Sequence, residues 1–164
     1  MPHVYKRNLP HIDKGRQSYF LTFCTRDRWI LPPRARSIVL ECCRHNHNKK
    51  YFLDAAVVMP DHVHLILTPC MDRIKNPAFP ICSITRVLKG YSAFRINRQF
   101  GRTGSVWQDE TYDHVIRGGE MEEMFRYVLL NPVRKGLVSA PEEYEWVWWN
   151  RERRQVEPVP VRTF

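Results

Sequence analysis

Residues 57–69, "VVMPDHVHLILTP", set two histidines, His62 and His64, one residue apart inside an apolar run. The run 62–69 reads as a β-strand, because its aliphatic and β-branched residues end at a proline. Side chains i and i+2 of a strand share a face. His62 and His64 therefore project together, and Val63 and Leu65 project the other way. Met59-Pro60-Asp61 reads as a bend. The preceding stretch, 51–61, reads as a strand able to pair antiparallel with 62–69.

Working outward, "QSYFLTFCTR" (17–26) has the aromatic and β-branched content of a strand. The prolines of "LPPRARS" end that extended run and lead into a helix over 34–48, with Ile38, Val39, Cys42 and Cys43 at helical spacing. Ile84, Val87, Leu88 and Tyr91 fall at i, i+3, i+4 and i+7, which predicts a second amphipathic helix with Tyr91 in the core. "SVWQDETYDHVIR" (105–117) reads as an irregular strand broken by Gly118-Gly119. A last helix starts near Glu120, with Met121, Met124, Phe125, Val128 and Leu129 as its stripe, and Asn131-Pro132 ends or kinks it. Its early glutamates suit the positive end of the helix dipole. The order β-α-β-β-α-β-α predicts an α+β fold, a ferredoxin-like (RRM-like) antiparallel sheet with helices packed on one face. A single domain is expected over 1–149, followed by a basic, proline-rich, poorly packed tail over 150–164.

Composition narrows the class. With 164 residues and 43% hydrophobic content, the chain is long and apolar enough for one packed core. No apolar run reaches the roughly 18 residues of a membrane span, and the first sixteen residues are polar and basic, so a soluble, cytoplasmic protein with no membrane partner is expected. Five cysteines, an odd number with no C-x-x-C pair, argue against a disulfide framework or a thiolate zinc site. The net charge of +9 points to a polyanionic partner, nucleic acid before membrane surface. Between Met71 and Gly104 seven basic residues face one acid, Asp72. Of these, Arg86 and Lys89 lie off the helical stripe and are candidate DNA contacts.

Two imidazoles on one strand face can share a divalent metal; they can also be two satisfied structural histidines. A histidine-triad nucleotide hydrolase needs a third histidine two residues on, and Ile66 occupies that place. A three-histidine zinc hydrolase would need another ligand such as His114 or His45. On the last helix, Tyr127 and Asn131 lie one turn apart on one face, at the edge of the apolar stripe. By itself this is an amphipathic tyrosine over the core's rim and an asparagine near a helix end. Combined with the histidines it acquires a chemical meaning. A metal on His62 and His64 can take the Asn131 side-chain oxygen as third ligand, leaving Tyr127 a turn away as a nucleophile. A phenol with a pKa of about 10 needs a polarised target, which a divalent ion supplies at a phosphoryl oxygen. The oxygen ligand favours Mg2+ or Mn2+.

The motif His62-Val63-His64 within "MPDHVHLIL" resembles that of the HUH nucleases. "WQDETYDHVIR" followed by "FRYVLLNPVRKGLV" resembles the single-tyrosine HUH transposases, most of all the REP-associated group, and "YFLTFCTRDR" fits their first strand. The resemblance spans roughly residues 10–149. It implies metal-dependent cleavage and strand transfer of single-stranded DNA beside hairpins, with REP-like palindromes as partner. It implies His62, His64 and Asn131 as metal ligands and Tyr127 as the nucleophile that forms a 5′-phosphotyrosine and frees a 3′-hydroxyl. It favours a monomer over a dimer. Asp61 stands where the subgroup often has asparagine, as a further ligand or a partner of the ligands, and "EYEWVWWN" fits the family ending loosely. Two other functions compete: a non-catalytic module binding single-stranded nucleic acid by stacking, and a phosphodiesterase that uses water.

Overall fold

The structure, a computed structural model, describes residues 16–72, 74 and 78–152. Arg73, Lys75 and most of the expected tail, from residue 153, lie outside the described residues. The elements run β1 (Ser18–Cys24), α1 (Pro33–His45), β2 (Tyr51–Val58), β3 (His62–Pro69), α2 (Ile81–Phe100), β4 (Tyr112–Ile116), α3 (Glu120–Arg134) and β5 (Val147–Trp149), with short 3-10 turns at Arg26–Arg28 and Pro141–Glu143. The strands form one sheet in the order β4-β1-β3-β2-β5, every neighbouring pair antiparallel. The first four strands have the ferredoxin-like order, and β5 extends it along β2.

The antiparallel α+β class is the one the sequence predicts. The placement of all helices on one face is corrected. α1 and α2 cover the face that carries Leu21, Phe23, Leu53, Val63, Leu65 and Leu67. α3 covers the opposite face, packing Phe125, Val128 and Leu129 on Phe20, Ala55, Val57 and Ile66. The physical reason is that β2 and β3 are almost continuously buried. A strand apolar on both faces needs cover on both. β2 changes sides along its length: its register against β3 shifts between Leu53 and Ala55, a bulge at Asp54. Leu53 thus faces α1 and α2, while Ala55 and Val57 face α3.

α2 also differs from its predicted stripe. Ile84 and Leu88 are buried, but Val87 is 42% and Tyr91 48% exposed, so Tyr91 is not a core residue. The buried line runs Ile84, Leu88, Ser92, Ile96, with Thr85 beside it. Ser92 is fully buried because it accepts a hydrogen bond from Trp107 Nε1 (3.0 Å) and donates to the Lys89 carbonyl (3.2 Å). The expected strand over 105–117 is regular only from Tyr112, although Trp107 bridges Thr25. Finally, Asn131-Pro132 does not end α3. The helix passes through Pro132 to Arg134, and its last carbonyls are closed by the amides of Lys135, Gly136 and Leu137.

Candidate active site

The alternation of β3 sends Val63 and Leu65 into the α1–α2 core and His64 and Ile66 toward α3, as the spacing predicts. In register, Thr22 of β1 lies between His64 of β3 and Tyr112 of β4. The two imidazole centroids are 4.7 Å apart and nearly perpendicular. Each ring is held by its Nδ1. His64 Nδ1 lies 2.7 Å from Thr22 Oγ1, and His62 Nδ1 lies 2.7 Å from Asp61 Oδ1. Asp61 is itself fixed: its carbonyl accepts from Thr25 N (2.9 Å) and Thr25 Oγ1 (3.1 Å). Asp61 thus stands behind His62 as an orienting carboxylate, the arrangement found behind metal-binding histidines.

The Asp61 carboxylate accepts the Nδ1 proton of His62, and where His64 Nδ1 likewise donates to Thr22 Oγ1, Nε2 is the lone-pair nitrogen of each ring. His64 Nε2 is buried without a hydrogen-bond partner, and so is Asn131 Oδ1. A buried polar atom left unpaired costs roughly 1–3 kcal/mol, and in native proteins such atoms demand an explanation. Here both are acceptor atoms with the chemistry of metal ligands. Burial, followed by the influence of His62, lowers the His64 pKa to about 3, which keeps its imidazole neutral. The donor set, two imidazole nitrogens and an amide oxygen, is one that would suit a divalent ion.

Tyr127 stands beside this group. Its ring centroid is 5.3 Å from that of His64 and 5.8 Å from that of Phe20, edge-on to both. The residue is 38% exposed, so its side chain is open to solvent. Arg134 lies over the ring, its Cζ 4.2 Å from the centroid, and donates from Nη2 to the Tyr127 carbonyl at 2.9 Å. α3 thus brings Tyr127 to His64 and sets Arg134 on the tyrosine ring, with Asn131 buried one turn after Tyr127 on the same helix.

Other candidates are not brought there. His114 sits on β4 with Nε2 3.1 Å from Glu120 Oε2, and His45 ends α1 beside Tyr91. Among the described residues no three His, Cys, Asp or Glu side chains form a metal-binding group, and neither His114 nor His45 joins the pair. Arg86 and Lys89 belong to α2, on the other side of the sheet from the histidines. Arg86 is exposed. Lys89 Nζ donates to the carbonyls of Asp109 and Glu110 and to Thr111 Oγ1, so it ties down the loop before β4. The residues missed in the sequence are Thr22 and Arg134. Thr22 is 42 positions from His64, and only the strand pairing joins them. Arg134 carried a readable signal: it lies two turns after Tyr127, on the same side of the helix.

The antiparallel sheet, the histidine pair on its central strand and the tyrosine helix against them make up one candidate site. A family model described as "Transposase IS200 like" matches residues 16–129. The chain belongs to that family. A protein of Haemophilus influenzae described as a putative REP-associated tyrosine transposase is 28% identical over 123 residues, covering 71% of this chain and 68% of the relative. Two solved structures share the fold. One, described as a REP-associated tyrosine transposase bound to a REP hairpin, has a TM-score of 0.64 at 19% identity, over 85% of this chain and 82% of the other. The second, a putative transposase from Deinococcus radiodurans, has a TM-score of 0.53 at 19% identity, over 80% and 97%.

Proposed function

We propose that the chain is a metal-dependent endonuclease and strand transferase of single-stranded DNA beside hairpins, working through Tyr127. The carrying observation is the pair of buried, unpartnered acceptors, His64 Nε2 and Asn131 Oδ1, beside an exposed tyrosine. In this reading His62, His64 and Asn131 hold Mg2+ or Mn2+. When bound, the ion polarises the scissile phosphate and stabilises the charge that develops on its oxygens. The Tyr127 oxygen attacks phosphorus as the bond to the 3′-oxygen breaks. The phenolic proton passes to solvent and the departing 3′-oxygen is protonated to a hydroxyl. The 5′-phosphotyrosine conserves the phosphodiester, so a 3′-hydroxyl can reverse the step on another strand without ATP. Thr22 and Asp61 keep both imidazoles in the tautomer that presents Nε2. Arg134 holds the tyrosine ring by packing on its face. The hairpin-bound structural relative and the REP-associated relative support the hairpin substrate. In this reading the protein works as a monomer.

The test is covalent trapping. The protein is mixed with labelled hairpin DNA carrying single-stranded flanks and Mn2+, then denatured. An adduct that disappears in Tyr127→Phe and with chelator is expected. Cleavage without an adduct would replace this reading with hydrolysis by water. Salt-sensitive binding that yields neither, across several hairpins, would replace it with a binding module.

A further inference from the structure

A groove of about 370 Å³ opens beside α3, at the edge of its buried stripe. Its walls are Phe20 of β1 and Met124, Tyr127 and Leu130 of α3, with Arg126 and Arg134 at its rim. The volume falls in the range of pockets that hold small organic groups, ~300–1,000 Å³. One acid, Glu123, also borders it. Beyond Phe20 the apolar surface continues to Tyr112 of β4, 60% exposed, whose ring meets Phe20 edge-on at 6.4 Å. Nothing in the proposed phosphotransfer uses this groove, yet Tyr127 and Arg134 belong both to it and to the site.

An occupant must be flat or apolar at its centre and anionic at its border, and must reach Tyr127. We propose that the groove takes the base of one unpaired nucleotide adjoining the phosphate that Tyr127 attacks. The base lies against Phe20 and Leu130, and the neighbouring backbone phosphate meets Arg134. Arginine over an aromatic ring at the border of such a groove suits both the π-face of a base and its phosphate. This inference rests on the proposed function. It adds that the enzyme grips a particular unpaired base rather than the backbone alone, and that this grip places the scissile phosphate.

The test uses the full chain, Mn2+ and a hairpin oligonucleotide scanned with one abasic position at a time through its single-stranded flank. Wild type is compared with Leu130→Trp, which fills the groove. One abasic position is expected to slow adduct formation about 10- to 100-fold, the scale of lost base–aromatic stacking. Leu130→Trp is expected to slow the intact oligonucleotide by a similar factor and to be indifferent to that abasic position. Additive losses in the variant, or no sensitive position, would overturn the groove while leaving the nuclease intact. Wild-type protein with 2-aminopurine at each flank position gives a readout independent of the variant's folding and of cleavage. Fluorescence quenched at one position, with quenching weakened in Leu130→Trp, supports the groove. Uniform fluorescence at all positions overturns it. Absence of any adduct with the intact oligonucleotide sinks the nuclease reading, and the fluorescence still decides whether a base enters the groove.

Discussion

At the scale of single residues the candidate site leaves two buried polar atoms, His64 Nε2 and Asn131 Oδ1, without hydrogen-bond partners. Asn131 Oδ1 is buried without a partner, so removing it should help the metal-free fold. Asn131→Leu is expected to stabilise the metal-free protein by about 1 kcal/mol, a rise in melting temperature of roughly 2–4 °C. Mn2+ is expected to raise the wild-type melting temperature further, and the variant is expected to lose that rise. Differential scanning calorimetry with and without Mn2+ checks both halves, and a lower melting temperature without metal would mean that the oxygen has a structural partner. Thr22→Val tests the support behind His64. It keeps the shape of the side chain and removes the oxygen 2.7 Å from Nδ1. Mn2+ affinity by calorimetric titration is expected to fall ~10- to 100-fold, with the far-ultraviolet spectrum unchanged. The residues that the sequence displayed are those within one element: the histidines at i and i+2, and Tyr127 and Asn131 at i and i+4. Thr22 was not legible, because its role depends on which strands become neighbours.

At the scale of elements, local polar bonds decide where the apolar pattern fails. α2 was readable as a helix but not in its facing, because it buries Ser92 and Thr85 while leaving Val87, Tyr91 and Phe94 exposed. A hydrophobicity pattern cannot register that Ser92 is wanted for its hydroxyl. Ser92→Ala removes the acceptor of the Trp107 indole N–H and leaves that donor buried. It is expected to cost about 1–3 kcal/mol, read as a lower midpoint in urea with an unchanged slope. A cost below a few tenths would mean that the indole finds another acceptor. The bulge at Asp54 was equally hidden, since β2 is apolar on either side of Asp54 and one inserted residue leaves that pattern intact. α3 was legible down to its stripe. Its passage through Pro132 was not, because near a helix end a missing N–H is a small loss when the following amides of Lys135 and Gly136 close the last turn.

At the scale of the whole molecule, the sheet separates two chemistries. α1 and α2 close one face as a core, and α3 closes the other while carrying Tyr127, so the proposed function requires DNA on the α3 side. The ferredoxin-like class followed from the sequence; the fifth strand and the use of both faces did not, because β2 reads as apolar on both sides and the histidines of β3 do not tell whether their face is open or covered by a helix. The net charge of +9 indicated a polyanion but not where it lies. Arg134 and Lys135, at the end of α3, are exposed cations near His64, and both act to lower its pKa. Lys89, by contrast, makes three hydrogen bonds to residues 109–111. Binding of single-stranded DNA weakens with salt in proportion to the phosphates neutralised, by about 0.7 in logarithmic slope per contact. Lys135→Gln should therefore reduce the slope by roughly 0.7, measured by fluorescence anisotropy on an uncleavable oligonucleotide between low and moderate salt. Lys89→Gln should leave the slope unchanged and lower thermal stability instead, because it frees the loop before β4. The opposite pattern, a slope altered by Lys89 and not by Lys135, would put the DNA on the α2 face and separate it from the tyrosine.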